Sequence, residues 1–385
     1  MEEQAARLST GVAGLDEVLL GGVIPRRSYL VQGRPGTGKT TLGLHFLTAK
    51  QTSHEPVLFI SLIKRPDDVR HNATQLGFDI SDITFLDLSP TPEVLTEEQP
   101  PRIFSPAEME RAPLTRQIAE QIQSRRPVRI FIDALTQLRY FATDEYDYRR
   151  LTLSVLRFCL DQQATVFASS ESDSVDTEHS LEFLVDGLFT LDMEEDRRSV
   201  TVSKYLGSDF LAGRHSMRLT DTGMVVFPRL VEPELKPEFT GESISSGNTE
   251  LDALLGGGIE RGLVTIISGP SGIGKTLLCL SFIHQAAQRG ESSVIYIYEE
   301  TSQPLILRAE NVGIPLRDFI ERNLVKVVTV QPDRYLPDEF TALVREEVEQ
   351  RNARVVMIDN ISGYRLTLRD RDLVRSLHIL CDYLK

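Results

Sequence analysis

The chain has 385 residues, 41% of them apolar and 25% charged, with a net charge of −14. That length exceeds what one ordinary domain needs, so two cores are the natural expectation. The acidic balance argues against nonspecific attachment to nucleic acid or anionic membrane, and no run of about 18 apolar residues suggests a membrane span.

The first ten residues, MEEQAARLST, are acidic and polar, unlike a secretory signal. Cys159, Cys279 and Cys381 lie far apart without a CxxC, which fits a reducing, cytoplasmic setting rather than a disulfide framework. The seven histidines form no HExxH and no Cys/His cluster, so nothing points to a transition-metal site.

In chain order, a short apolar strand is expected at 29–32, then a glycine-rich turn, then a helix marked by the spacing of Leu42, Phe46 and Leu47. Strand 57–62, a helix near 66–76, strand 83–88 and a helix near 113–124 follow. Strand 128–133, helix 148–162 and strand 164–169 come next, and β-like segments at 187–192, 199–206 and 214–227 close the series. This alternation predicts an α/β fold with a mainly parallel, twisted sheet flanked by helices and a small antiparallel extension.

The chain then repeats itself. LSTGVAGLDEVLLGGVIPRRSYLVQGRPGTGKT (8–40) lies on ISSGNTELDALLGGGIERGLVTIISGPSGIGKT (244–276) without a gap, and the same register carries Ile63-Lys64 onto Glu299-Glu300. After a shift in register, Asp133 in RIFIDALTQL pairs with Asp359 in RVVMIDNISG. A period this long predicts two homologous domains, at 1–232 and 243–385. The Pro-containing acidic stretch between them reads as a linker over 233–242.

Each copy carries G-x-x-x-x-G-K-[ST] between a predicted strand and a predicted helix: GRPGTGKT at 33–40 and GPSGIGKT at 269–276. The glycines let backbone N–H groups wrap a polyphosphate, and the helix N-terminus adds a favourable dipole. The candidate ATP-binding residues are Gly33, Gly36, Thr37, Gly38, Lys39, Thr40 and Thr41 in the first copy. In the second they are Gly269, Ser271, Gly272, Ile273, Gly274, Lys275, Thr276 and Leu277. Lys39 and Lys275 are expected to reach the β- and γ-phosphates, and the Thr40 and Thr276 hydroxyls to ligate Mg²⁺. Asp133 and Asp359 each end an apolar run, where a carboxylate beside a phosphate loop is placed to hold the same ion.

The copies differ at one point of chemistry. FISLIKRP (59–66) and IYIYEETS (295–302) both read as a strand end, but Ile63-Lys64 stands where the second copy has Glu299-Glu300. A carboxylate there can orient water and draw its proton, which contributes about 10²–10⁴ in rate. Glu299 and Glu300 are therefore the candidate catalytic residues, and the first copy is expected to bind ATP with weak or no hydrolysis.

The S-x-G, L-D and G-G lead-in, the paired phosphate loops, the Glu pair and KYLGSDF (204–210) together resemble the KaiC family of RecA-type ATPases over nearly the whole chain. The resemblance implies two tandem RecA-like domains in a ring, a hexamer, with ATP at subunit interfaces. It also implies a cytoplasmic, clock-type or signalling ATPase with protein partners of that kind, in which the second domain can carry Ser/Thr autokinase activity. The family's Lys-x-Arg reaches a neighbour's γ-phosphate; Lys204 matches the Lys and is a candidate ATP contact, but Leu206 stands at the Arg.

Fewer residues follow the second phosphate loop than the first. The family's phosphorylation sites and second trans-acting Lys would fall beyond Lys385, which argues against kinase activity of this chain alone. In RecA-type sheets the strand after the Mg²⁺-binding Asp inserts beside the phosphate-loop strand. That strand is expected at 164–169 in the first copy, and no counterpart is expected in the second, leaving a gap between 265–268 and 355–359. The sequence thus reads as a fragment with an incomplete second domain.

Two other stretches invite stronger readings. LRYFATDEYDYRR (138–150) interleaves aromatics and arginines as single-strand-binding loops do, and RLTLRDRDLVR (365–375) is rich in charge. Both fit subunit contacts or solvated faces better, and EHSLEFLVDGL (178–188) reads as an amphipathic turn. A DNA-associated RecA-type motor and a non-enzymatic ATP-dependent scaffold are the competing functions. The acidic charge and the lack of a clear basic stripe weigh against the first, and ATP binding without phosphate release would support the second.

Overall fold

The computed structural model describes residues 7–49, 55–89, 106–171, 179–195, 197–231, 241–368 and 372–385, the side chains of 106–112 and 179–180 excepted. The chain divides into two units, Met1–Arg229 and Leu230–Lys385. Most of the predicted linker lies outside the described residues.

In the first unit, nine described strands form one sheet: β1 (Ser28–Gly33), β2 (Val57–Ser61), β3 (Ile83–Asp87), β4 (Arg129–Asp133), β5 (Thr165–Glu171), β6 (Gly187–Glu194), β7 (Arg197–Tyr205), β8 (Arg214–Thr220) and β9 (Gly223–Phe227). Their order is β3-β2-β4-β5-β1-β6-β7-β8-β9. Neighbours from β3 to β6 run parallel, and those from β6 to β9 antiparallel. β1, β2 and β4 are buried along their whole length, which is why each reads as a continuous run rather than an alternation. As expected, β5 lies between β1 and β4. The segment expected as one stretch at 214–227 is a hairpin, turning at Asp221-Thr222 between β8 and β9.

The helices of this unit are α1 (Leu15–Val18), α2 (Lys39–Thr48), α3 (Pro66–Gln75), α4 (Pro106–Arg125), α5 (Glu145–Asp161) and α6 (His179–Glu182). α4 starts well before the expected 113 and carries Pro113 inside it. α5 is capped by the Asp144 side chain, which accepts the Asp147 N–H at 2.8 Å. Two cores cover the two sheet faces: Tyr29, Phe46, Phe131, Phe167 and Phe189 on one, and Ile130, Ile132, Leu151 and Leu156 on the other. Part of 138–150, expected as a contact surface, is a 3-10 segment at Leu135–Phe141, and α6 replaces part of the turn expected at 178–188.

In the second unit, β10 (Ser243–Ile244) pairs antiparallel with β11 (Ile259–Glu260). β12 (Ser292–Ile297), β13 (Val325–Thr329) and β14 (Ala353–Asp359) form a parallel sheet of order β13-β12-β14. The helices are α7 (Thr249–Leu254), α8 (Lys275–Gln288), α9 (Ser302–Asn311), α10 (Leu316–Glu321), α11 (Pro337–Glu349), α12 (Ile361–Leu368) and α13 (Leu373–Leu384). The strand expected at 265–268 is not formed, and Leu263, Val264 and Ile266 are exposed. A strand exists only through its partners, and among the described residues none is hydrogen-bonded into a ladder there.

The repeated lead-in has a structural cause. Ser9 Oγ donates to Asp16 at 2.6 Å and the Thr10 N–H to the same carboxylate at 2.8 Å. Ser245 Oγ and the Ser246 N–H make the same two bonds to Asp252, at 2.5 and 2.7 Å. The Ser245 hydroxyl, then the backbone N–H, hold the Asp252 carboxyl below its ordinary pKa.

Candidate functional site

The site of each unit sits where the phosphate loop turns into a helix, at the C-terminal ends of the parallel strands. Gly36 and Gly272 have φ of 81° and 82°, and Gly38 and Gly274, which precede α2 and α8, have φ of 108° and 98°. An L side chain is strained in that region, so the turn needs glycine. A Cβ built on Gly36, Gly272 or Gly274 would meet no atom within 4 Å, so the cradle opens outward at these points.

Lys39 Nζ donates to the Gly33 and Arg34 carbonyls at 2.5 and 3.1 Å. Lys275 Nζ does the same with Gly269 and Pro270, at 2.9 Å each. Thr40 Oγ1 donates to Asp133 Oδ2 at 2.8 Å, and Thr276 Oγ1 to Asp359 Oδ2 at 2.7 Å. Ser169 Oγ donates to the other Asp133 oxygen at 2.6 Å. Each unit thus brings a hydroxyl and a carboxylate, both hard oxygen donors, together at the mouth of the loop. That pair suits Mg²⁺, which needs one or two such groups and takes its remaining ligands from phosphate and water.

Thr41 and Leu277 follow in the first turn of their helices. Thr37 is buried and donates to the Arg34 carbonyl at 2.9 Å, whereas Ser271 and its neighbour Ile273, the counterpart of Thr37, are exposed. Lys204, on β7, donates to the Glu182 carbonyl at 2.9 Å, and Leu206 beyond the strand is exposed. Cys279 is no candidate nucleophile: burial first, and the Asp359 charge second, push its thiol up to about 11.

The strand ends differ as their sequences do. The Leu62 N–H donates to the Asp133 carbonyl at 2.8 Å, and the Tyr298 N–H to the Asp359 carbonyl at 3.1 Å. This repeated tie sets the next residue, Ile63 or Glu299, beside the aspartate. Glu299 accepts the Asn360 side-chain N–H₂ at 2.7 Å. Glu300 forms an ion pair with Arg308 of α9, 2.6 Å at Oε2. In the first unit Ile63 is exposed, and the Lys64 carbonyl accepts the Ser61 hydroxyl. In both units the peptide after the aspartate is cis. Asn360 and Arg308 escaped the sequence reading; for Asn360, the signal was the pairing of Asn360 with Ala134.

The family model described as ATPase: KaiC matches residues 8–231 and 244–385.

The chain belongs to the KaiC family.

Among similar proteins, the circadian clock oscillator protein KaiC of Synechococcus elongatus is 28% identical over 378 residues, covering 94% of this chain and 71% of that protein. The protein of the same name from Prochlorococcus marinus is 26% identical over 379 residues, covering 94% and 73%. KaiC-family membership makes this a P-loop ATPase-family chain of α/β architecture with nucleotide binding as its shared chemistry. No described helix is long and apolar enough to cross a membrane.

Proposed function

We propose that this KaiC-family chain binds Mg·ATP at both phosphate loops, uses the first chiefly for assembly and hydrolyses ATP at the second. The observation that carries the reading is the contrast between Glu299, hydrogen-bonded beside the Thr276–Asp359 pair, and Ile63, which has no group to accept a proton.

At the second loop, the backbone of 269–276 cradles the phosphates and Lys275 meets the β- and γ-oxygens. Thr276 and Asp359 would hold Mg²⁺, which would supply neutralising charge at the phosphate oxygens. Glu299 orients a water and accepts its proton as the water attacks. Glu300, engaged by Arg308, shapes the loop rather than the chemistry. Transfer to a Ser/Thr hydroxyl, the autokinase reaction the family implies, would use the same groups with the hydroxyl in place of water. By the same resemblance the chain forms a ring, a hexamer, with Lys204 reaching a neighbour's nucleotide and clock-type or signalling partners in the cytoplasm. The domain limits 1–232 and 243–385 belong to this reading too.

Nucleotide content after purification, with and without Lys39→Ala and Lys275→Ala, tests it. Both loops are expected to carry nucleotide, the first retaining it longer. Unchanged content and assembly in Lys39→Ala would refute the role of the first loop.

A further inference from the structure

Asn360 sits between two structures. Its Oδ1 accepts the Gly363 N–H at 2.9 Å, capping α12, and its Nδ2 donates to Glu299 Oε1 at 2.7 Å. The first bond fixes the second: a backbone N–H must meet the carbonyl side of the amide, so the N–H₂ side faces the carboxylate. The close approach of α12 depends on Gly363, where a Cβ would lie 2.3 Å from the Tyr298 Cβ. Tyr298 is the residue before Glu299, and its N–H is tied to the Asp359 carbonyl. Glu299 is therefore held from both sides, through its backbone neighbour and through its own carboxylate.

The first unit lacks both partners of this bond. Ile63 stands at Glu299, Ala134 at Asn360 and Gln137 at Gly363, and the segment after the aspartate is a 3-10 turn rather than an α-helix. The two copies differ as a set of paired positions.

We infer that Asn360 is a positioning residue for ATP hydrolysis, holding the Glu299 carboxylate beside the Thr276–Asp359 pair. This rests on the reading of the second loop as the hydrolytic one. An unrestrained Glu side chain spreads over several rotamers, and a hydrogen bond to the ionised carboxylate selects one without changing how nucleotide is held.

The test uses the full chain, Mg·ATP and single-turnover phosphate release, with a fluorescent ATP analogue to report binding. Asn360→Asp keeps an oxygen for the Gly363 N–H but replaces the donor to Glu299 with a like charge. Asn360→Ala removes both. A loss of roughly 10- to 100-fold in the single-turnover rate is expected for each, with affinity for the analogue within about twofold, as for a lost hydrogen bond to a charged group. Asn360→Asp is expected to keep the wild-type unfolding midpoint. In a Glu299→Gln background, Asn360→Asp is expected to add no further loss, which a merely structural role would not produce. Wild-type turnover in Asn360→Asp beside an impaired Glu299→Gln, or losses that add in the double variant, would overturn the inference. Wild-type turnover in Glu299→Gln would overturn the hydrolytic reading itself, and the inference with it.

Discussion

Arg308 grips Glu300 through both of its terminal guanidinium nitrogens, so of two adjacent glutamates it is Glu299 that bonds to Asn360, the residue after the β14 aspartate. The pair holds Arg308 more firmly in its charged form. Its side chains are partly exposed, so it contributes little to stability, of the order of 1 kcal/mol or less. Glu299→Gln is expected to lower phosphate release by about 10²–10⁴, the contribution of a general base. Glu300→Gln should cost far less in rate. Equal losses in a single-turnover comparison would contradict the division of labour.

Placing carboxylates in the first copy should not make it an equal of the second. Ile63→Glu/Lys64→Glu supplies the acid groups, but Ala134 has no amide to orient them, and Leu206 stands where the family resemblance implies an arginine, a residue that can contribute about 10³–10⁵ in such sites. Measured in a Glu299→Gln background, so that the first site alone contributes, turnover is expected to stay well below that of the wild-type second site. Full activity from the double substitution would remove Leu206 and Ala134 as obstacles.

His45 links α2 to the β8–β9 hairpin of the first unit, accepting the Met224 N–H on Nε2 at 2.7 Å with the Phe78 ring 4.7 Å away. Burial, opposed in part by a backbone hydrogen bond with Gly11, holds its pKa below the ordinary 6.5. Above that value His45 is neutral both folded and unfolded, and stability is full. As pH falls below about 6.5 the unfolded chain takes up the proton first, so stability drops until the depressed folded value is passed. Urea midpoints for the first unit are expected to decline from about pH 7 to pH 5, and His45→Gln to flatten that decline. An unchanged slope in the variant would place the sensitivity elsewhere.

Gly43, in the middle of α2, reverses the usual rule for helical glycines. Ala normally gains about 1 kcal/mol there, yet a Cβ at this position would lie 2.4 Å from ring atoms of Phe131, itself fully buried. Gly43→Ala is expected to destabilise the first unit by about 1–3 kcal/mol through overpacking, read by denaturant unfolding. A stabilised variant would mean that the Phe131 ring yields freely.

What the sequence made legible was local or duplicated. The phosphate loops and the strand runs ending in Asp133 and Asp359 follow from short patterns and from a repeat that compares itself, whereas the place of β5 followed only from the resemblance to RecA-type sheets. The strand expected at 265–268 failed because a ladder needs partners, which its own residues do not encode. That Glu299 turns toward Asn360 while Glu300 turns toward Arg308 was equally hidden. Beyond the last paired residue of β12 the alternation of faces lapses, and long-range contacts decide where each carboxylate points. The role of the α12 cap escaped because Asn360 bonds to Glu299 and Gly363 packs on Tyr298, partners more than sixty residues upstream.

The lysine of each phosphate loop is tethered to the carbonyls of its own turn, Gly33 and Arg34 in one, Gly269 and Pro270 in the other. A polyphosphate that recruits the ammonium must compete with those dipoles, so measured affinity is the difference between two charge-assisted contacts rather than the full strength of one. The same tether fixes the curl of the turn before any encounter. Capture then draws little on chain ordering, and selectivity between nucleotides will be felt more in how long each stays than in how fast it arrives.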